Sequence, residues 1–138
     1  MSEKKAAVII GAGDATGGAI AKRFAKEGYV ACVTRRDAEK LVPLTDEIRA
    51  AGGEARGFGS DARKEDEVVE LFETVEREVG PVEVFVFNIG ANVNFSILEM
   101  TERVYRKVWE MAAYAGFLTG REAARAMVPR GKGTMIFT

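Results

Sequence analysis

Residues 6–18 read AAVIIGAGDATGG, an apolar run that breaks into a string of glycine and other small side chains. Ala6 to Ile10 has the length and composition of a buried strand. The string after it leads directly into helical spacing, with Ile20, Ala21, Phe24 and Ala25 on one face and Gly28 as a left-handed cap. Strand, glycine-rich turn and helix in that order form the context in which Gly11, Gly13 and Gly17 can carry chemistry. Small residues let the backbone turn tightly and let a pyrophosphate reach the N–H groups at the positive end of the helix. The plainer reading is a tight strand-to-helix turn with no ligand.

Outward from this turn, short β-branched or aromatic runs alternate with stretches of helical period, the mark of βαβ units in a parallel sheet. A second strand is expected over Tyr29 to Thr34. It is followed by Asp37 as an N-cap and a helix burying Leu41, Leu44, Ile48 and Ala51. Pro43 falls in the second turn of that helix and predicts a kink or a 3₁₀ start. A third strand, Ala55 to Ser60, precedes a helix carrying Val68, Leu71, Phe72, Val75 and Val79, which Gly80-Pro81 stops. Val82 to Phe87 is almost continuously apolar, as a central strand covered on both faces should be. After a polar loop, Thr101 caps one long helix to about Met127, and Thr134 to Phe137 reads as a fifth strand. The predicted fold is α/β, a Rossmann-type doubly wound parallel sheet of order 3-2-1-4-5 in three αβα layers, with two helices on each face.

Composition narrows the functional classes. With 138 residues, 47% of them hydrophobic, the chain has the material for one domain over 1–138. Twenty basic and 21 acidic residues leave a net charge of -1, which gives no electrostatic reason to expect nucleic acid or a membrane surface as partner. The single cysteine, Cys32, sits in an apolar run and reads as a small core residue. The lack of histidine removes imidazole bases and nearly all zinc sites, so no metal is expected. The N-terminal apolar stretch is too short for a signal peptide core or a membrane span, so the expected location is cytoplasmic.

The turn Gly11-Ala12-Gly13-Asp14-Ala15-Thr16-Gly17-Gly18 resembles the GxxxGxG turn of the short-chain dehydrogenase/reductase family, with Ala15 in the middle position. Thr16 stands where the family usually has an aliphatic residue, and its hydroxyl has either a phosphate or the local backbone to bond. About twenty residues on, where an acidic side chain would bind the ribose 2′-hydroxyl of NAD, the chain has Thr34-Arg35-Arg36-Asp37. Arg35 and Arg36 favour the 2′-phosphate of NADP, with NAD possible. Asp14, where relatives often place a basic residue, either repels that phosphate or holds an arginine. Asp61 ends strand three where the family's aspartate accepts from the adenine amino group and the N–H of the next residue, Ala62, reaches the ring; a simple N-cap is the alternative. Phe87-Asn88-Ile89-Gly90 is similar to the family's NNAG motif, matching at Asn88 and Gly90.

This resemblance implies hydride transfer between nicotinamide and a small-molecule carbonyl or alcohol. The reading is that of the N-terminal part of an NADP-preferring oxidoreductase. The family's catalytic serine and Tyr-x-x-x-Lys pair are expected after strand five. Tyr29, Tyr105 and Tyr114 are followed four positions later by Val33, Trp109 and Leu118, so none begins that pair, and the 138 residues alone are expected to be inactive. Ala112 occupies the position of the family's catalytic asparagine, which keeps open the alternative of a non-catalytic NADP(H)-binding or scaffold protein. Ala112, Gly116, Gly120 and Ala124 make a stripe at intervals of four, suited to close packing against the protein's own sheet or another subunit. The resemblance implies a homodimer or homotetramer through the helix of residues 101–127.

Overall fold

A computed structural model describes residues 4–13, 15–90 and 93–138. Five parallel strands form one sheet in the order β3-β2-β1-β4-β5. They are β1 Ala6–Ile10, β2 Val30–Arg35, β3 Glu54–Gly59, β4 Val82–Phe87 and β5 Thr134–Phe137. Both β2 and β3 are displaced by one residue from their expected limits, which puts Arg35 on the last ladder position of β2, opposite Gly59.

Every residue of β1 is buried, and the strand's alternation divides it between two cores. Ala6, Val8 and Ile10 face α3 (Glu65–Glu78) and α5 (Ala115–Met127), where Val68, Phe72, Val75 and Leu118 meet them. Ala7 and Ile9 face α1 (Thr16–Lys26) and α2 (Val42–Ala50), which supply Ala21, Ala25, Leu44 and Ile48. Two helices therefore cover each face, as expected. Fully buried side chains such as Ile9, Phe85 and Leu118 each contribute roughly 1.5–3 kcal/mol, against about 0–1 kcal/mol for an exposed ion pair, so the two apolar layers dominate the stability.

β4 carries an irregularity in its pairing with β1, where Ala6 pairs with Val82 but Ala7 with Val84. Glu83 is the skipped residue. Its carboxylate, almost buried, takes Lys5 at 3.1 Å and Lys132 at 2.8 Å, and the Lys132 hydrogen bond leads the effects that hold its pKa below the ordinary value. β5 is the sheet's edge, with Met135, Ile136 and Phe137 all more than a third exposed.

Three local expectations change. The 3₁₀ start expected at Pro43 is present, but the proline does not lie in the second turn of one helix: Asp37 caps a 3₁₀ turn, Ala38–Leu41, and α2 begins afresh at Val42 with the proline at its start, where a missing N–H costs nothing. Ala51 is exposed rather than buried, because the helix ends at Ala50. The long helix is not continuous. α4 (Glu102–Trp109) passes through a π turn, Glu110–Tyr114, into α5. The wider π turn rotates the faces on either side, so the four-residue stripe does not run straight. Gly116 and Gly120 do pack on the protein's own sheet, with Phe87 and Phe137 over the first and Phe137 and Met135 over the second, whereas Ala112 is exposed.

Candidate functional site

The carboxyl ends of β1, β2, β3 and β4 open into one cleft of about 280 Å³. That is the crevice where open α/β sheets take ligands, between strands whose connections leave in opposite directions. The first wall is the turn after β1. Ala12 N–H donates to Thr34 O at 3.1 Å, which ties the turn to β2. Gly11 has φ +83°, and a Cβ there would lie 2.5 Å from Asn88 O, so both its conformation and its space require glycine. Gly13 has open space on its Cβ side. Behind the turn, α1 starts with no side-chain cap and no acidic residue in its first turn among the described residues. Its first N–H groups therefore keep their capacity to bind an anion.

The second wall is the end of β2, where Arg35 is half-buried and Arg36 exposed. The third is the turn after β3. Ser60 N–H donates to Arg35 O at 2.9 Å, and Asp61 N–H donates to Glu67 Oε1 at 3.1 Å, so the strand end is fastened to β2 and to α3. Asp61 is not the N-cap of α3; Lys64 holds that position. The Asp61 carboxylate is instead gripped by one residue. Arg63 donates from its backbone N–H and Nε to Oδ1, both at 3.0 Å, and from Nη2 to Oδ2 at 2.9 Å. The bond to Arg63, aided by the charge of Arg36, outweighs burial and lowers the Asp61 pKa to about 2.

Asn88 closes the cleft at the end of β4. Its N–H donates to Ile10 O at 2.9 Å, its Nδ2 to Gly11 O at 3.4 Å, and its Oδ1 accepts from Thr138 Oγ1 at 2.9 Å. The side chain thus bridges the diverging ends of β1, β4 and β5.

Gly11, Gly13, Arg35, Arg36, Asp61, Ala62, Asn88 and Gly90, all singled out in the sequence, line this cleft together. Ala15, Thr16 and Gly17 do not line it. Ala15 and Thr16 are exposed at the helix start, and Gly17 is buried beneath the turn against Gly11 O. Asp14 lies outside the described residues. Ala112 is on the π turn and lines a separate apolar hollow with Val93, Tyr105 and Trp109, while its neighbour Met111 reaches the cleft. Arg63 and Met111 were not identifiable as site residues from the sequence. Arg63, two positions after Asp61, reads like a solvated loop cation, and Met111 reaches the cleft from a π turn that has no sequence signature.

Among the described residues no group of acidic or cysteine side chains could hold a metal ion. No described helix is long and apolar enough to cross a membrane. The Cys32 thiol is free, and burial pushes it up to about 12, far from a reactive thiolate.

Residues 5–138 match the short chain dehydrogenase family. A short chain dehydrogenase of Pseudocercospora fijiensis is 33% identical over 135 residues, covering 96% of this chain and 43% of that protein. The crystal structure of a short-chain dehydrogenase from Rhodopseudomonas palustris superimposes with a TM-score of 0.88 at 52% identity, over 99% of this chain and 64% of that one. A variant of the actinorhodin polyketide ketoreductase, crystallised with NADPH, gives a TM-score of 0.91 at 31% identity, over 98% of this chain and 52% of that one. The chain spans about half the length of the curated relatives it matches.

Proposed function

Because the chain belongs to the short chain dehydrogenase family, we propose that residues 1–138 are the NADP-binding part of a single-domain oxidoreductase that acts on a small carbonyl or alcohol compound. The single observation that carries this reading is the cleft itself, in which a glycine-rich turn before an uncapped helix lies in the same wall system as Arg35 and Arg36.

The residues fit a phosphorylated dinucleotide. The open side of Gly13 and the N–H groups at the start of α1 are suited to a pyrophosphate, with Ala15 and Thr16 at its edge and Gly17 holding the turn from below. Asp61 and the N–H of Ala62 suit an adenine, and Asn88 and Gly90 suit the ribose next to the nicotinamide. When bound, the cofactor would supply or accept the hydride. The cofactor seen with the ketoreductase, NADPH, supports the choice of NADP, and so does the absence of an acidic side chain at Arg35. Two guanidinium groups at that point can give the 2′-phosphate a charge-assisted pair worth about 1.5–3 kcal/mol, a preference of roughly tenfold to a hundredfold over NAD.

The test is a titration of the Arg35→Ala/Arg36→Ala variant with NADPH and NADH. NADPH affinity should fall by at least about tenfold while NADH affinity changes little. Equal losses for both cofactors refute the preference.

Ala112 favours a second reading, a protein that binds NADP(H) without turnover, since the family's asparagine is replaced there. Under either reading we propose that the protein acts in the cytoplasm as a homodimer or homotetramer. Tyr105 and Trp109 on α4 and Phe117 on α5 are about half or more exposed, apolar surface of a kind that association would bury.

A further inference from the structure

The Asp61 carboxylate stands between two guanidinium groups in the cleft. Arg63 holds it with three hydrogen bonds, and Arg36 is close enough to act on its charge. Of these two, Arg36 keeps its guanidinium available for a ligand, because the forked end of Arg63 is spent on Asp61. The position of Asp61 would otherwise be awkward for a phosphate-binding cleft. A bare carboxylate there would repel a phosphate and would also compete with it for Arg36.

We propose that Arg63 sets the cofactor selectivity of the cleft indirectly. By neutralising Asp61 it leaves Arg36 free to pair with the 2′-phosphate of an adenine nucleotide. This rests on the reading of the cleft as a nucleotide site, and it makes Arg63 a positioning residue that acts through Asp61 and Arg36 without touching the phosphate. The arrangement has a physical logic. Asp61 is almost buried, with its side chain 11% exposed, but it opens on the cleft and the charge of Arg36 acts on it too, so the carboxylate stays ionised at neutral pH when Arg63 is removed. Loss of Arg63 therefore exposes a full negative charge to the phosphate instead of abolishing it. Arg36, whose charge already acts on Asp61, would turn toward it.

The experiment measures binding of adenosine 2′,5′-bisphosphate and of adenosine 5′-monophosphate by calorimetry, in the full chain and in three variants, Arg63→Ala, Arg63→Lys and Asp61→Asn/Arg63→Ala. The parent should prefer the bisphosphate. Arg63→Ala should lower that preference by about tenfold, the scale of repulsion between a carboxylate and a doubly charged phosphate in one cleft. Arg63→Lys, which keeps the cation, should retain most of the preference. Asp61→Asn/Arg63→Ala, which removes the charge that needed neutralising, should restore it. Cooperative thermal unfolding of each variant reports that it is folded, and because any loss of the adenine contact at Asp61 weakens both ligands alike, the ratio of the two affinities is the quantity compared.

A merely structural role for Arg63 would weaken both ligands together and would not be rescued by the second substitution. The proposal is overturned if Arg63→Ala keeps the parent's preference, or if the double variant stays as low as the single one. Should the parent itself show no preference for the bisphosphate, the 2′-phosphate reading fails first, and that outcome is visible before any variant is made.

Discussion

Gly13 and Gly17 belong to the same glycine-rich turn, yet they have opposite reasons to be glycine, and alanine substitution separates them. At Gly17 a Cβ would lie 2.5 Å from Gly11 O, 2.9 Å from Ala12 Cα and 3.0 Å from Asn88 Nδ2. Two of these atoms are backbone, fastened by the hydrogen bonds from Ala12 N–H to Thr34 O and from Asn88 Nδ2 to Gly11 O, so they cannot yield cheaply. The overlap costs about 3 kcal/mol, near the top of the usual range for an overfilled site, and the better helix propensity of alanine returns about 1 kcal/mol. The net loss of about 2 kcal/mol corresponds to a melting temperature lower by about 8 °C in a domain of this size. At Gly13 a Cβ would meet nothing within 4 Å, and φ is outside the left-handed range, so Gly13→Ala should leave stability unchanged or raise it by up to about 1 kcal/mol. The added methyl would stand in the cleft wall, and NADPH affinity should fall. Thermal unfolding and an NADPH titration on both variants are sufficient. A Gly17→Ala protein at least as stable as the parent, or a Gly13→Ala protein as destabilised as Gly17→Ala, would refute the division of roles.

Two further outcomes follow from the ionisable groups. Because the folded pKa of Asp61 lies below its unfolded value, its pairing stabilises the fold above about pH 4 and that contribution disappears as the pH falls toward 2. Asp61→Asn should therefore cost at most about 2 kcal/mol near neutrality, discounted for the quarter-exposed Arg63, and the gap from the parent should close in unfolding measurements between pH 4 and pH 2; a gap independent of pH would rule this out. Cys32, fully buried and with its pKa pushed up to about 12, should resist alkylation in the folded protein at pH 8 and react only after denaturation, so rapid labelling of the native chain would contradict the packing around β2.

Most of the fold was legible because it rests on periodicity and punctuation. Ala6–Ile10 is apolar throughout and Val82–Phe87 is interrupted only by Glu83, which marks both as central strands, and the glycine-bounded helices between them have single apolar faces suited to covering a sheet. The errors arose where local sequence does not specify geometry. The 3₁₀ start at Pro43 was legible because proline marks it, whereas the π turn at Glu110–Tyr114 uses the same residue types as a regular helix, and the packing of the surrounding elements selects between them.

The same division runs through the site. By itself the sequence determined the layer order and the places where the chain turns back, and through them the convergence of Gly11, Arg36, Asp61 and Asn88 from four separate strand ends. These are properties of the chain's direction, written in residues next to each strand. Which atoms then meet was decided only in three dimensions. That Asp61 closes on Arg63 in place of capping α3, that Gly17 supports the turn from beneath, and that Met111 faces the cleft while Ala112 faces away all depend on the distance and angle between packed elements. No residue's own type or spacing carries that information.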